Sequence, residues 1–358
     1  MRKIKINYTK EALLLNILLT LFIVSIFCFV FFCQNVVLKW FVDDAYYNAL
    51  FGEFQICFLN VGQGDSTFVR YKDTTFIIDA GDDDAGKNLA TTIDEINYDD
   101  NVDYFILTHP DSDHTGGAEE IFEKFKVENF IRPKMLTSEE EKQYGNEHNY
   151  GVYDTIAYND AIEAGYKEGC NIMFVDAYTI LETNDFSFKI LYPFSDDDLI
   201  ESDTNSYSAI IRIEDKGFTY LLMADADEST ESKLASKYKE NLKCNVLKAS
   251  HHGSKYGTTD LLLAYSSPSY VIVSVGEKGI SEYGHAGEEF KERVRDFGAT
   301  IYQTNEYGNI MFSGGDDSNL VTFNTPAKIE IALVSVICTI LILLVWGVTI
   351  KREKKEDK

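Results

Sequence analysis

Two stretches of the chain carry almost no polar punctuation. From Ala12 to Cys33 the sequence is apolar except for Asn16, Thr20 and Ser25, and from Ile331 to Ile350 no charge appears. Each is long enough to cross a bilayer, which takes about 20 apolar residues, and soluble helices seldom stay apolar on every side for that length. Between them the pattern shortens to strands. Phe54-Gln55-Ile56-Cys57-Phe58-Leu59 and Ser66-Thr67-Phe68-Val69-Arg70 flank a glycine-rich turn, and Thr75-Phe76-Ile77-Ile78 follows a Lys72-Asp73 turn. A helix-compatible stretch (89–96) precedes an apolar strand (102–107), and a helical period resumes at 118–125. The stretch from Pro133 to Asn171 is irregular and tyrosine-rich, the one place where an insertion or lid fits. Two hairpins follow (186–191 with its neighbour, and 209–213 with 218–222 around Lys216-Gly217). Helices at 228–239, 258–265 and 287–297 then alternate with strands at 245–248, 270–274 and 299–303, before a final hairpin near 309–323. Strands followed by mixed strand and helix, twice over, predict an α/β fold of two face-to-face sheets with helices outside, a four-layer αββα sandwich flanked by two transmembrane helices.

Charge orients this arrangement. Arg2, Lys3, Lys5 and Lys10 precede the first apolar run, and five basic residues follow the second. The positive-inside rule places both clusters in the cytoplasm. Phe31-Phe32-Cys33-Gln34 offers no small-residue cleavage site, so the first run is expected to be an uncleaved anchor. The expected organisation is a cytoplasmic tail (1–11), a membrane helix (12–33), a linker (34–53), an extracellular domain (54–325), a membrane helix (331–350) and a second cytoplasmic tail (351–358). The whole chain has a formal charge of −25, and the segment 34–328 holds 24 basic and 53 acidic residues, a net charge of −29. Such acidity weighs against a broad nucleic-acid-binding surface, although bound divalent ions would invert the field locally. No Cys-x-x-Cys spacing occurs, and Cys57, Cys170 and Cys244 allow at most one internal disulfide.

His109, Asp111, Asp113 and His114 fall within six residues at a predicted strand-to-helix turn. So many ionisable groups repel or desolvate one another unless cations hold them, and imidazole mixed with carboxylate suits zinc, manganese or iron better than calcium. Two further strands end in similar groups. Asp225 closes Tyr220-Leu221-Leu222-Met223-Ala224, and Val246-Leu247-Lys248-Ala249 runs into Ser250-His251-His252-Gly253-Ser254. Alone, Asp225 would usually be a helix cap; with the first motif it is better explained as a bridging carboxylate. Adjacent histidines point in different directions, so one of His251 and His252 is expected to bind metal and the other to face substrate.

In their order along the chain, Asn60-Val61-Gly62-Gln63-Gly64-Asp65-Ser66, Ile78-Asp79-Ala80-Gly81, the segment from Thr108 to Gly117, Ala224-Asp225 and Ser250-His251-His252-Gly253-Ser254 resemble metallo-β-lactamase-fold proteins. They are most similar to the branch formed by the extracellular domain of the competence protein ComEC and its stand-alone relatives. The resemblance covers 54 to about 323 and implies a centre of two divalent metal ions, zinc or manganese, that activates water for hydrolysis. It implies that His109 and Asp111 bind one ion and Asp113 and His114 the other, with Asp225 bridging and His251 or His252 completing the set, His251 being the ligand taken forward. His252, His285 and Asp65 are then expected to be catalytic. Asp79 is expected behind the ligand loop, steadying it. Gly62 and Gly64 match the tight turn beside the site. Two departures stand out: Asp203-Thr204-Asn205-Ser206 occupies the region where many members carry a mid-chain histidine, and the polytopic competence domain of ComEC has no counterpart.

These features imply a membrane-anchored phosphodiesterase or nuclease acting outside the cell on DNA or an envelope polymer. A non-catalytic anchored binding module has no reason to keep six metal ligands, and a lactam or lactone hydrolase fits the Pro110-Asp111 version of the motif less well. The orientation is directly testable. A reporter in the 34–53 linker should be cleaved by external protease in intact cells, while reporters on the two tails should be shielded. The opposite pattern reverses the topology.

Overall fold

In the computed structural model the described residues are 52–97, 99–134, 156–200, 203–314 and 320–323. The two apolar runs, both tails, residues 34–51 of the linker and residues 135–155 lie outside them, so the membrane segments and the lid are expectations about residues not described here. No described helix is long and apolar enough to cross a membrane.

Every strand that carries a functional group feeds its C-terminal end to one edge of a two-sheet sandwich. The first half of the chain supplies β1 (Phe54–Phe58), β2 (Thr67–Tyr71), β3 (Thr74–Ile78), β4 (Asn101–Ile106), β5 (Lys126–Arg132) and β6 (Asn171–Phe174). The second supplies β7 (Thr179–Glu182), β8 (Phe186–Tyr192), β9 (Ile210–Asp215), β10 (Phe218–Leu222), β11 (Val246–Lys248), β12 (Tyr270–Val273) and β13 (Thr300–Gln303), and β14 (Asn309–Ser313) and β15 (Leu320–Phe323) return to the first. The eight-stranded sheet has the order β15-β14-β1-β2-β3-β4-β5-β6, and the seven-stranded sheet the order β13-β12-β11-β10-β9-β8-β7. Antiparallel hairpins open each half. Parallel pairing then takes over from β3 to β6 and from β10 to β13, which is why connections there are helical.

Side-chain alternation builds the layers. Phe54, Ile56 and Phe58 of β1 face Phe186, Phe188 and Ile190 of β8 and Phe218, Tyr220 and Leu222 of β10 in the core between the sheets. Phe76 stacks on Phe188 with ring centroids 4.3 Å apart. The opposite parity of the second sheet, including Leu221, Leu247 and Val271, packs on α5 (Glu228–Tyr238), α6 (Asp260–Ser266) and α7 (Glu288–Asp296) through Leu234, Leu262, Leu263, Phe290 and Val294. On the first sheet, which also carries α1 (Gly86–Ile96), Phe105 and Phe130 meet Phe122 of α3 (Ala118–Lys124). Helix, sheet, sheet and helix are therefore stacked as the pattern predicted.

Some elements escaped the sequence pattern. Lys126–Arg132 and Asn171–Phe174 are the strands β5 and β6, whereas β7 (Thr179–Glu182) is the neighbour expected to pair with 186–191. Residues 156–168 of the expected irregular stretch form α4 (Ile156–Glu168), whose Tyr158, Ala161, Ile162 and Gly165 are buried. Gly165 sits tightly against Phe130 and Phe122, so packing decides this helix where its weak amphipathic signal does not.

Phe188→Ala, which empties the space beneath the Phe76 ring, should destabilise the full-length chain by roughly 3–5 kcal/mol. Leu261→Ala, at an exposed position of α6, should change it by no more than about 0.5 kcal/mol. Equal thermal midpoints for the two variants would show that the intersheet core is placed wrongly.

Candidate metal centre

The centre is assembled from turns that leave the parallel strands. After β3 the chain turns at Asp79, whose φ of 59° is unusual for a residue with a side chain. Its carboxylate accepts hydrogen bonds from Thr108 N and Thr108 Oγ1, both at 2.7 Å, and lies 2.8 Å from His114 Nδ1. The expected steadying role of Asp79 thus has its contacts: it ties the β3 turn to the turn after β4. Backbone bonds reinforce the tie, from Ala80 N to His114 O (2.7 Å) and from Asp65 N to Asp113 O (3.0 Å). Gly64, at φ 142°, brings its backbone against the Asp113 carbonyl, where any Cβ would collide. The glycine turn therefore does more than close a hairpin.

After β4, His109 and His114 are buried, with Asp111 and Asp113 partly exposed beside them. His114 belongs to the single-turn α2 (Ser112–Thr115), and the two imidazole rings lie 3.9 Å apart. From the other sheet, β10 delivers Asp225, which is only 2% exposed. Its carboxylate lies 3.2 Å from His114 Nε2, 3.5 Å from His252 Nε2, 3.6 Å from His251 Nε2 and 3.8 Å from His109 Nε2. Carboxylate and imidazole atoms of His109, His114 and Asp225, and of Asp113, His114 and His252, lie close enough together to hold an ion.

Each buried histidine is gripped on one nitrogen and left open on the other. His109 Nδ1 is 3.1 Å from Thr108 Oγ1, His114 Nδ1 is held by Asp79, and His252 Nδ1 is 2.9 Å from the Ser274 carbonyl. The three Nε2 atoms are buried without a well-directed hydrogen bond, as is Asp225 Oδ1. Leaving such atoms without partners in a protein interior is costly, and neutral imidazole fixed through its far nitrogen is the usual state of a metal ligand. The donors present therefore fit divalent ions.

Electrostatics say the same. Burial, reinforced by the neighbouring His114, drives His109 well below the ordinary imidazole range. For His114 and His252 burial opposes protonation too, but Asp225 outweighs it, with Asp79 for the first and Asp65 for the second. His114 is held well above its usual value and His252 is pushed up to about 9. Burial also opposes ionisation of Asp225, yet His252 and His114 hold it well below the carboxylate range. The carboxylates thus draw positive charge into the cluster, as protons or as metal ions that displace them.

The structure exchanges two expected positions. His252, not His251, is buried in the donor cluster, its Nε2 3.1 Å from Asp113 Oδ2. His251 is 33% exposed, on the open side beside His285, with ring centroids 5.2 Å apart. The reason is backbone: both histidines adopt left-handed φ values, 46° and 52°, which turn the first outward and the second inward. Asp65 also departs from expectation. It is buried on the Nδ1 side of the histidines, 3.6 Å from His252 and 3.9 Å from His114, and is ion-paired with Lys248. His285 lies half-buried beside His251 and His252, with burial and His252 lowering it to about 4. The mid-chain segment contributes Thr204, whose hydroxyl donates to Asp111 at 3.2 Å.

Lys248 is a residue the motif reading passed over. It ends β11 with the same parity as Val246, so it points between the sheets toward Asp65. A lysine in an otherwise apolar strand, immediately ahead of two histidines, was the available signal.

The metallo-beta-lactamase superfamily model matches residues 59–277. The chain is 24% identical over 283 residues to ComE operon protein 3 of Bacillus subtilis, covering 74% of this chain and 34% of that protein. It is 25% identical over 257 residues to competence protein ComA of Neisseria gonorrhoeae, covering 72% and 32%. The chain spans about a third of the length of these curated relatives. Among solved structures, the metallo-beta-lactamase fold protein YhfI from Bacillus subtilis matches at 12% identity with a TM-score of 0.44, over 73% of this chain and 100% of that one. Matched over most of its length and carrying the ligand-bearing turns in family order, the chain belongs to the metallo-beta-lactamase superfamily, with ComEC-like relatives.

Proposed function

We propose that this chain is a phosphodiesterase that works outside the cell, anchored by its two apolar runs. Superfamily membership supports a metal-dependent hydrolase in general. The observation that carries the finer reading is the set of three Nε2 atoms, from His109, His114 and His252, left open around the Asp225 carboxylate. In this reading His109 and Asp111 would hold one divalent ion and Asp113, His114 and His252 the other, with Asp225 within reach of both groups. Zinc and manganese both suit such donors. When bound, the pair would supply Lewis acidity toward phosphoryl oxygens and a nucleophile at neutral pH.

The chain's own groups do the rest. Thr108, Asp79 and the Ser274 carbonyl fix the tautomer and direction of the three buried imidazoles. Thr204 restrains Asp111. His251 and His285 are the imidazoles left on the open side, where they can meet a phosphate or a leaving oxygen. Lys248 pairs with Asp65 and so offsets the charge of a second buried carboxylate beside the histidines. A relative named as a competence protein makes single-stranded DNA one substrate to try, with small envelope phosphodiesters favoured by the acidic surface.

Metal analysis of the full-length chain should find about two divalent ions. His252→Ala should lose at least one of them, whereas His251→Ala should keep its metal and lose turnover. Equal metal content and equal kinetics in the two variants would remove the division of roles.

With Mn2+ or Zn2+ supplied, the chain should hydrolyse bis(p-nitrophenyl) phosphate or single-stranded DNA. Asp225→Ala should lower kcat/KM more than about 100-fold, beyond the usual cost of changing a residue behind the ligands. A metal-loaded protein that opens a lactam or lactone ring and leaves every phosphodiester intact would overturn the substrate class. One that binds DNA without cleaving it would favour the anchored binding module.

A further inference from the structure

The loop that delivers His252 cannot hold its shape by itself. His251, His252 and Thr258 all have left-handed φ values (46°, 52° and 50°), as does Gly253 at 76°. Left-handed backbone costs about 1–2 kcal/mol at each non-glycine residue, so contacts outside the loop must impose it. Two side chains from different helices do so from opposite sides.

Glu231 lies in the first turn and a half of α5, whose N-terminus is capped by Asp227 accepting from Thr230 N at 2.8 Å. It is fully buried. Its carboxylate accepts from Ser250 Oγ (2.5 Å), Thr258 N (2.6 Å), Thr259 N (2.8 Å) and Thr259 Oγ1 (2.6 Å). Four donors from one loop thus converge on a single buried acid. Arg293, on α7, takes the acceptors of the same loop: its guanidinium donates to the carbonyls of Gly257 (2.9 Å), Thr258 (3.2 Å) and Lys255 (3.0 Å). A bond from Ser250 N to Thr258 Oγ1 (3.0 Å) closes the loop between the two anchors. The backbone on either side of the histidines is therefore fixed at Ser250 and again at 255–259, leaving His252 little freedom to swing from Asp113 and Asp225.

We propose that Glu231 and Arg293 are positioning residues that hold the 250–259 loop so that His252 Nε2 faces Asp113 and Asp225, and that they thereby set the metal affinity of the centre. The inference rests on the metal-centre reading given above. Neither residue belongs to the donor cluster, so each acts through the loop alone. Arginine suits this work because its planar fork holds donors on separate nitrogens in a fixed geometry, spread over the three carbonyls. Glutamate suits its side because only an ionised carboxylate accepts four bonds without presenting a donor of its own.

The test is a titration of the full-length chain with Mn2+, followed by the EPR signal of the free ion, alongside thermal midpoints. Glu231→Gln replaces one accepting oxygen with an amide NH2 that can only donate and should weaken at least one Mn2+ site by about 10-fold or more, the range expected for groups behind a metal ligand. Arg293→Gln should act in the same direction. Leu234→Ala, a buried change on the same helix, provides the stability control: it should lower the midpoint as much or more while leaving Mn2+ affinity unchanged. If Glu231→Gln and Arg293→Gln bind Mn2+ as the wild type does, the positioning role is overturned and the centre stands. If Leu234→Ala weakens Mn2+ as much as Glu231→Gln at an equal fall in midpoint, general destabilisation replaces the positioning role. A wild-type chain that takes up no Mn2+ overturns the metal centre and the positioning role with it.

Discussion

Asp225 is a carboxylate that the fold has taken out of water, with imidazole nitrogens of four histidines within 3.8 Å of it. Burying such a charge is strongly unfavourable unless it is paired and hydrogen-bonded, and the surrounding structure can be understood as what that requirement imposes. Asp225 comes from the second sheet, while His109 and His114 come from the first, so the shared charge joins the two halves of the sandwich at their common edge. The intersheet core of Phe54, Phe76, Phe188 and Tyr220 holds the halves in register. A one-residue slip of β10 would turn Leu222 out of that core.

The same demand explains where backbone strain collects. Asp79, Ala224, His251 and His252 all take left-handed φ values, and each lies in a turn that leaves a strand for the site. Strain of this kind persists only where neighbours over-determine it. Asp79 is locked by Thr108 and His114, and the His251-His252 pair by the bonds around Glu231 and Arg293. At the turns of Asp79 and of the histidine pair, buried polar contacts from neighbouring segments offset the cost of that strain.

Much of this was legible in the sequence because it rests on local signals. Alternation in β1, β2, β9 and β10, the helical period at 287–297, and the crowded His109-to-His114 motif all announce themselves within a dozen residues. What was hidden depends on distant partners. β5 reads as Lys-Val-Glu-Asn-Phe-Ile-Arg, a mixed pattern whose strand character comes from parallel pairing with β4 and β6. α4 is stabilised by its packing on Phe122 and Phe130 rather than by its own period. Glu231 looks like any acid in a helical first turn, and only the return of the 250–259 loop makes it a buried anchor. The roles of His251 and His252 could not be separated from type and spacing, since a pair of left-handed φ values decides which ring turns inward.

The central claim is that the open imidazole nitrogens around Asp225 exist to hold two divalent ions. Anomalous diffraction from crystals of the chain grown with Mn2+ and with Zn2+ would examine it most directly. The account predicts two peaks about 3.5–4 Å apart, one beside His109 and Asp111, the other beside Asp113, His114 and His252, with the Asp225 carboxylate between them. A fully occupied protein whose peaks lie away from Asp225, or whose His109, His114 and His252 Nε2 atoms contact only water, would contradict it.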